Sequence, residues 1–205
     1  MSKPTLRRKT LLKKLPDTVR QVQEAHPGAA VEVWTMDEHR IGLKPLLRRV
    51  WTKRGQRRTA PVRHRYQWMY VYGFVCPHSG QTEWWLLPTV RTDVFSLVLA
   101  AVAHAVGAGS DKQIILVLDG AGWHTSPQVQ VPEGIHLVQL PPYSPELQPA
   151  ERLWTLTNEP LVNRTFDSLA ALEEVQAVRC VTLQEQPDLI RRHTLFSWWP
   201  QVKAS

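Results

Sequence analysis

With 205 residues and 43% apolar side chains, the chain can bury one sizeable core, and it has no apolar run of the roughly 18 residues that a membrane-spanning helix needs. Its two cysteines, Cys76 and Cys180, show no zinc spacing; they read as buried free thiols of a reducing cytoplasm, with one disulfide as the alternative. The net charge of +7 is unevenly placed, since residues 1–68 hold 17 Lys and Arg against 5 Asp and Glu, and residues 69–205 hold 8 against 13. A basic segment joined to an acidic body suits a nucleic-acid partner: cations attract the phosphate backbone, and acids hold divalent ions that approach it.

Residues 1–28 carry Lys3, Arg7, Arg8, Lys9, Lys13 and Lys14, with Leu6, Leu11, Leu12 and Leu15 at weak helical spacing. Pro16-Asp17 is expected to cap a helix through about Ala25, and Pro27-Gly28 to end it. This piece reads as a basic arm or linker ahead of a catalytic domain over 29–205. Val31 to Met36 is a predicted strand, with Asp37-Glu38 where that strand should be central or ending. The following stretch, RIGLKPLLRRVWTKRGQRRTAPVRHR, is loop-rich, with Val50-Trp51-Thr52 as a short edge strand. Trp51 among Arg48, Arg49, Lys53, Arg54, Arg57 and Arg58 suits phosphate contacts and stacking on a splayed base, with core packing as the alternative for Trp51. Tyr66 to Cys76 and Thr82 to Pro88 are predicted hairpin strands, and Trp68, Trp84 and Trp85 are expected to pack on the sheet. Thr92-Asp93 would cap a nearly all-apolar helix over Val94 to Val106.

Ile114 to Leu118 has the pattern of a strand buried on both faces, stopping at Asp119 before Gly120-Ala121-Gly122. In α/β sheets, ligands bind at such strand ends. Ile135 to Leu140 forms another strand, followed by PPYSP and by a helix whose first turn holds Pro149 and Glu151. On that helix Glu151, Trp154 and Asn158 share a face. Asp167 is expected to cap a helix from Ser168 to about Leu183, with Leu169, Leu172, Val175, Val178 and Val181 as its buried stripe. A last helix runs from Pro187 toward Ser197-Trp198-Trp199-Pro200. The element order predicts an α/β sheet with covering helices.

Asp37, Asp119 and Glu151 therefore sit on three separate rigid elements. Carboxylates so distributed suit Mg²⁺ or Mn²⁺, and a pair of such ions can hold both the attacking and the leaving oxygen of a phosphoryl transfer. Taken singly, each acid also has a plain structural reading: a strand-end acid, a turn former and a helix N-terminal charge. Glu38 is the poorer ligand, because neighbouring strand residues point to opposite faces. His124, five positions past Asp119, is a candidate for phosphate contact or water positioning, with a structural turn role as the alternative.

The segments VWTMDEHRIGL, VWTKRGQ, IILVLDGAGWHTS and LPPYSPELQPAERLW together resemble the DDE transposases of the IS630 branch of the Tc1/mariner superfamily. The resemblance runs over about residues 31–200, including EPLVNRTFDSLAALEE and SWWP, and PPYSPELQPAERLW is its most specific part. It implies a ribonuclease-H-like (retroviral-integrase-like) mixed sheet flanked by helices, with the first and fourth strands side by side. It implies that Asp37, Asp119 and Glu151 are the catalytic and metal-holding triad, with two Mg²⁺ or Mn²⁺ ions. The implied activity is metal-dependent DNA strand cleavage and strand transfer in cut-and-paste transposition, by a homodimer acting on double-stranded transposon ends and target at the bacterial nucleoid. The interval from Asp119 to Glu151 is 32 positions, slightly shorter than usual in that family. Residues 1–28 are too short for the helix-turn-helix pair of these transposases, so a separately encoded recognition subunit is expected. The competing classes are another ribonuclease-H-like nuclease and a non-catalytic DNA-binding or assembly module.

Overall fold

Alternation of β-branched and aromatic residues builds five strands, and the chain joins them into one sheet. The computed structural model describes residues 3–49, 51, 53–55 and 65–202, with side chains from Lys14 onward. The strands are β1 (Ala30–Gly42), β2 (Trp68–Val75), β3 (Thr82–Leu87), β4 (Lys112–Leu118) and β5 (Ile135–Gln139), in the order β3-β2-β1-β4-β5. β1 pairs antiparallel with β2 and β2 with β3, whereas β1–β4 and β4–β5 are parallel. The first and fourth strands are thus neighbours, as the ribonuclease-H-like arrangement requires.

Because successive strand residues face opposite ways, β1 feeds two cores. Val31 and Val33 join Ile115, Val117 and Val138 on one face. Trp34 and Met36 join Leu116, Leu118 and, from helix α2 (Thr92–Val106), Phe95 and Leu99 on the other. Leu97 of α2 is 72% exposed, so this helix is open on one side rather than buried all round.

Helix α1 spans Lys3–Ala25 and contains Pro16 in its interior, so Pro16-Asp17 does not cap a later start. Its Leu15, Val19 and Val22 lie on one stripe and are buried against β1, β4, β5 and Trp199. Burial of that stripe offsets the one backbone hydrogen bond that an interior proline removes. After β4 come a one-turn α3 (Gly122–Thr125), 3₁₀ turns over Pro145–Leu147 and Pro149–Arg152, α4 (Leu153–Thr157) and a 3₁₀ turn at Glu159–Leu161. The chain closes with α5 (Leu169–Gln184) and α6 (Pro187–Thr194).

Two details of α5 differ from expectation. Ser168, not Asp167, is the N-cap: its Oγ accepts from the Ala171 amide at 3.2 Å. The inward face is Leu172, Gln176, Cys180 and Leu183, while Val178 and Val181 are 63% and 56% exposed. The valines fit a helical period, but period alone does not choose which stripe the tertiary contacts cover. Cys76 and Cys180 are buried and unpaired with each other. Among the described residues no helix is long and apolar enough to cross a membrane.

Candidate active site

The parallel register of β1 and β4 sets the first two acids. Thr35 lies opposite Val117, and Asp37 and Asp119 each follow two residues later, at the end where β4 stops and β1 continues with β2. Glu151 comes from the 3₁₀ turn Pro149–Arg152. All three line one open cavity of about 460 Å³, together with Gly120, Gln148 and the Leu140–Pro145 segment. Tyr143 stands on its rim, 91% exposed and in the left-handed backbone region at φ 55°.

Glu151 is located by a run of contacts on a single face of β1. Gln148 hydrogen-bonds through Oε1 with the Thr35 hydroxyl, and its Nε2 donates to the Met36 carbonyl at 2.8 Å. Trp154 Nε1 donates to Asp37 Oδ2 at 2.8 Å. His39 Nε2 is in hydrogen-bond contact with the Asn158 side-chain amide, 3.0 Å from Nδ2 and 3.1 Å from Oδ1, and the His39 ring stacks on Trp154 with centroids 5.0 Å apart. Thr35, Asp37 and His39 alternate along the strand, and their hydrogen bonds go to Gln148, Trp154 and Asn158 in turn. The shared face of Glu151, Trp154 and Asn158 agrees with helical spacing, but neither the indole bond to Asp37 nor the role of Gln148 was readable from it.

Asp37 is pushed up to about 7 chiefly by burial, with the Glu38 and Glu151 charges acting in the same direction and the Trp154 bond opposing them. Burial also raises Glu151, with Glu146 and Asp119 adding repulsion against the pull of Arg152. Asp119 is held below its ordinary value, first by its hydrogen bond with His124. These are carboxylate oxygens crowded around one cavity, the donor set of a hard divalent cation, and a cation there would offset both the burial cost and the mutual repulsion. Among the described residues no group of three or more His, Cys, Asp or Glu side chains is arranged to hold a metal ion, and Asp37, Asp119 and Glu151 are brought together as lining of one cavity.

Of the two readings of His124, a contact to phosphate or water and a structural role, the buried position of the ring favours the structural one. Its side chain is 1% exposed; Nδ1 lies 2.8 Å from Asp119 Oδ1 and Nε2 2.8 Å from Glu38 Oε1. Both nitrogens are engaged and the ring is enclosed, which leaves it no route to a phosphate. Burial alone would lower its pKa, but the two carboxylates outweigh that and raise it to about 9. Glu38, also bonded by Trp123 Nε1 at 3.2 Å, was missed as a site residue. A signal existed: alternation puts Glu38 on the same face as Trp34 and Met36, where a carboxylate needs a buried partner.

Of the basic stretch, Arg48, Arg49, Lys53 and Arg54 are exposed, and Arg57 and Arg58 lie outside the described residues. Arg48 pairs with Glu159 at 2.6 Å, and its backbone exchanges two hydrogen bonds with the Asn163 side chain. Of the expected Val50-Trp51-Thr52 strand only Trp51 is described; it is not in a strand and its side chain is fully exposed, so it is no part of the core. Trp68, half exposed, carries Arg40 over its ring at 5.5 Å.

Residues 32–173 match the family described as DDE superfamily endonuclease. An uncharacterized protein of Sinorhizobium fredii (strain NBRC 101917 / NGR234), y4pE/y4sA, is 40% identical over 100 residues, covering 48% of this chain and 73% of that protein. Among solved structures, the Mos1 transposase paired-end complex with left transposon end aligns at a TM-score of 0.56 and 18% identity, over 94% of this chain and 62% of that chain. The Mos1 mariner paired end complex with Mn gives the same TM-score, identity and coverage. The likeness to these structures is one of fold, and the chain spans about three fifths of their length.

Proposed function

The chain belongs to the DDE superfamily endonucleases, and we propose that it is the catalytic domain of a DNA transposase of the IS630 branch of the Tc1/mariner superfamily. On this reading it cleaves and joins DNA strands in cut-and-paste transposition. The carrying observation is that Asp37, Asp119 and Glu151, from three elements far apart in sequence, line the same open cavity. One of the Mos1 structures is a complex with a transposon end and the other a complex with Mn, which fits a double-stranded DNA substrate and a divalent cofactor here.

Asp37, Asp119 and Glu151 would hold the cation, in the expected case a pair of Mg²⁺ or Mn²⁺ ions. When bound there, such ions supply activation of a water or 3′-hydroxyl nucleophile and neutralise charge on the leaving 3′-oxygen. The protein's own contribution is placement. Trp154 fixes one oxygen of Asp37, Gln148 ties the turn bearing Glu151 to β1, and the proline-rich rim shapes the DNA approach. The exposed Arg49, Lys53 and Arg54 would contact the phosphate backbone. On the same reading the working form would be a homodimer, and a separately encoded helix-turn-helix subunit would recognise the transposon ends.

The test is nicking of supercoiled DNA in Mg²⁺ or Mn²⁺ by the wild type and by Asp119→Asn. Cation-dependent nicking that the variant loses by at least about 10²-fold is expected. Equal nicking by both proteins refutes the assignment. Cleavage of an RNA–DNA hybrid with none of duplex DNA would instead favour a ribonuclease-H-like nuclease.

A further inference from the structure

Asp119 sits where the fold gives its side chain little support. β4 ends at Leu118, whose carbonyl accepts the last sheet bond from the Leu140 amide at 2.8 Å, and Gly120 follows. Asp119 is 53% exposed, yet its Oδ1 has two donors: His124 Nδ1 at 2.8 Å and the Ala121 amide at 3.1 Å. Its Oδ2 has no hydrogen-bond partner among the described residues. The ring of His124 is fixed in turn. Phe95 packs on it with centroids 4.5 Å apart, and Nε2 meets Glu38 Oε1 at 2.8 Å. Glu38, with a side chain 5% exposed, adjoins Asp37 in sequence but points to the opposite face of β1.

We infer that Glu38 and His124 are positioning residues that clamp Asp119, turning Oδ1 inward and leaving Oδ2 as the oxygen offered to the cavity. The clamp spans from β1 to the loop after β4, so it also fixes Asp119 relative to Asp37, which sits on the same strand as Glu38. Partners that orient a metal-binding carboxylate commonly alter cation affinity by about 10–100-fold when removed. The inference rests on Asp119 being a cation ligand, as proposed above.

The two nitrogens of His124 can be tested separately. Asparagine places its amide close to the Nδ1 position and can keep the bond to Asp119; glutamine reaches the Nε2 position and keeps only the contact to Glu38. Apparent Mn²⁺ affinity, measured without DNA by calorimetry or spin resonance, is expected to fall about 10–100-fold in His124→Gln, which loses the bond to Asp119, and by less in His124→Asn, which keeps that bond and gives up only the Glu38 end of the clamp. Amide exchange at Ala121 gives a readout that needs no cation, because its N–H donates to Asp119 Oδ1. Its protection should drop by about tenfold or more in His124→Gln and persist in His124→Asn. Cooperative melting of both variants establishes that they fold. Equal behaviour of the two variants in both measurements overturns the clamp, and so does unchanged Ala121 protection in His124→Gln. Asp119→Asn serves as the separate control: wild-type Mn²⁺ affinity in that variant refutes Asp119 as a ligand, while Ala121 exchange still decides the clamp.

Discussion

The indole of Trp154 donates a 2.8 Å hydrogen bond to Oδ2 of Asp37, joining a short helix to a strand residue 117 positions earlier. That bond opposes the burial and like-charge repulsion that raise the Asp37 pKa. Trp154→Phe keeps most of the ring packing and removes the donor. The Asp37 pKa should then rise further, so the acid limb of the pH profile for cation-dependent nicking moves to higher pH. Activity at neutral pH should drop about tenfold. An unshifted limb would show that Asp37 does not govern it.

Asp37 also makes stability depend on pH. Its folded pKa of about 7 lies above the ordinary 3.8, so its contribution is fully present below 3.8 and is lost as pH rises through about 7. His124 has the same sign in a later window, from the ordinary 6.5 up to about 9. Asp119, held low, acts oppositely and only as pH falls below 3.8. Without divalent cations, the melting temperature should therefore fall between pH 5 and pH 9. Asp37→Asn should abolish nicking yet melt several degrees higher than wild type at pH 8, corresponding to about 1–3 kcal/mol, with little gain at pH 4. Mn²⁺ should stabilise the wild type more at pH 8 than at pH 5. Thermal melts across pH, with and without Mn²⁺, check both.

Gly73 is the register partner of Asp37 on β2. A Cβ placed there would lie 2.9 Å from Trp154 Cη2 and 3.0 Å from Trp84 Cζ3. Gly73→Ala should cost about 1–3 kcal/mol through overpacking. It should also lower nicking by moving the indole off Asp37. Combined with Trp154→Phe, the activity losses should be less than additive, because both act on one bond. Full additivity in a double-variant cycle would assign the Gly73 effect to the fold alone.

Arg49, Lys53 and Arg54 are exposed and carry no ion pair among the described residues, unlike Arg48. Replacing the three with Ala should weaken duplex binding. The plot of log affinity against log salt should become shallower by about 0.9 for each phosphate that the variant no longer neutralises. Unchanged affinity and slope would place the DNA elsewhere.

Much of the chain was legible residue by residue because the relevant signals are local. Ile114 to Leu118 ends at Asp119 as the apolar run said, and the proline-rich turn delivers Glu151 as PPYSPELQPAERLW suggested. Elsewhere the deciding contact was distant. Pro16 looked like a boundary until Leu15, Val19 and Val22 found a sheet to cover. Val178 and Val181 looked buried until the sheet chose the stripe through Leu172, Gln176 and Cys180.

The sequence by itself located the five sheet strands, the main covering helices and the three acids to within a few residues, since backbone period and proline or glycine chemistry act over that range; it did not show that β1 runs on through Asp37 to Gly42, or that Glu151 stands on a 3₁₀ turn. Only the tertiary structure decided how those acids are held. Gln148 to Thr35, Trp154 to Asp37 and His124 to Glu38 each join residues more than 80 positions apart. A directional hydrogen bond needs its donor within about 3 Å of its acceptor, and only the packed sheet brings such residues that close.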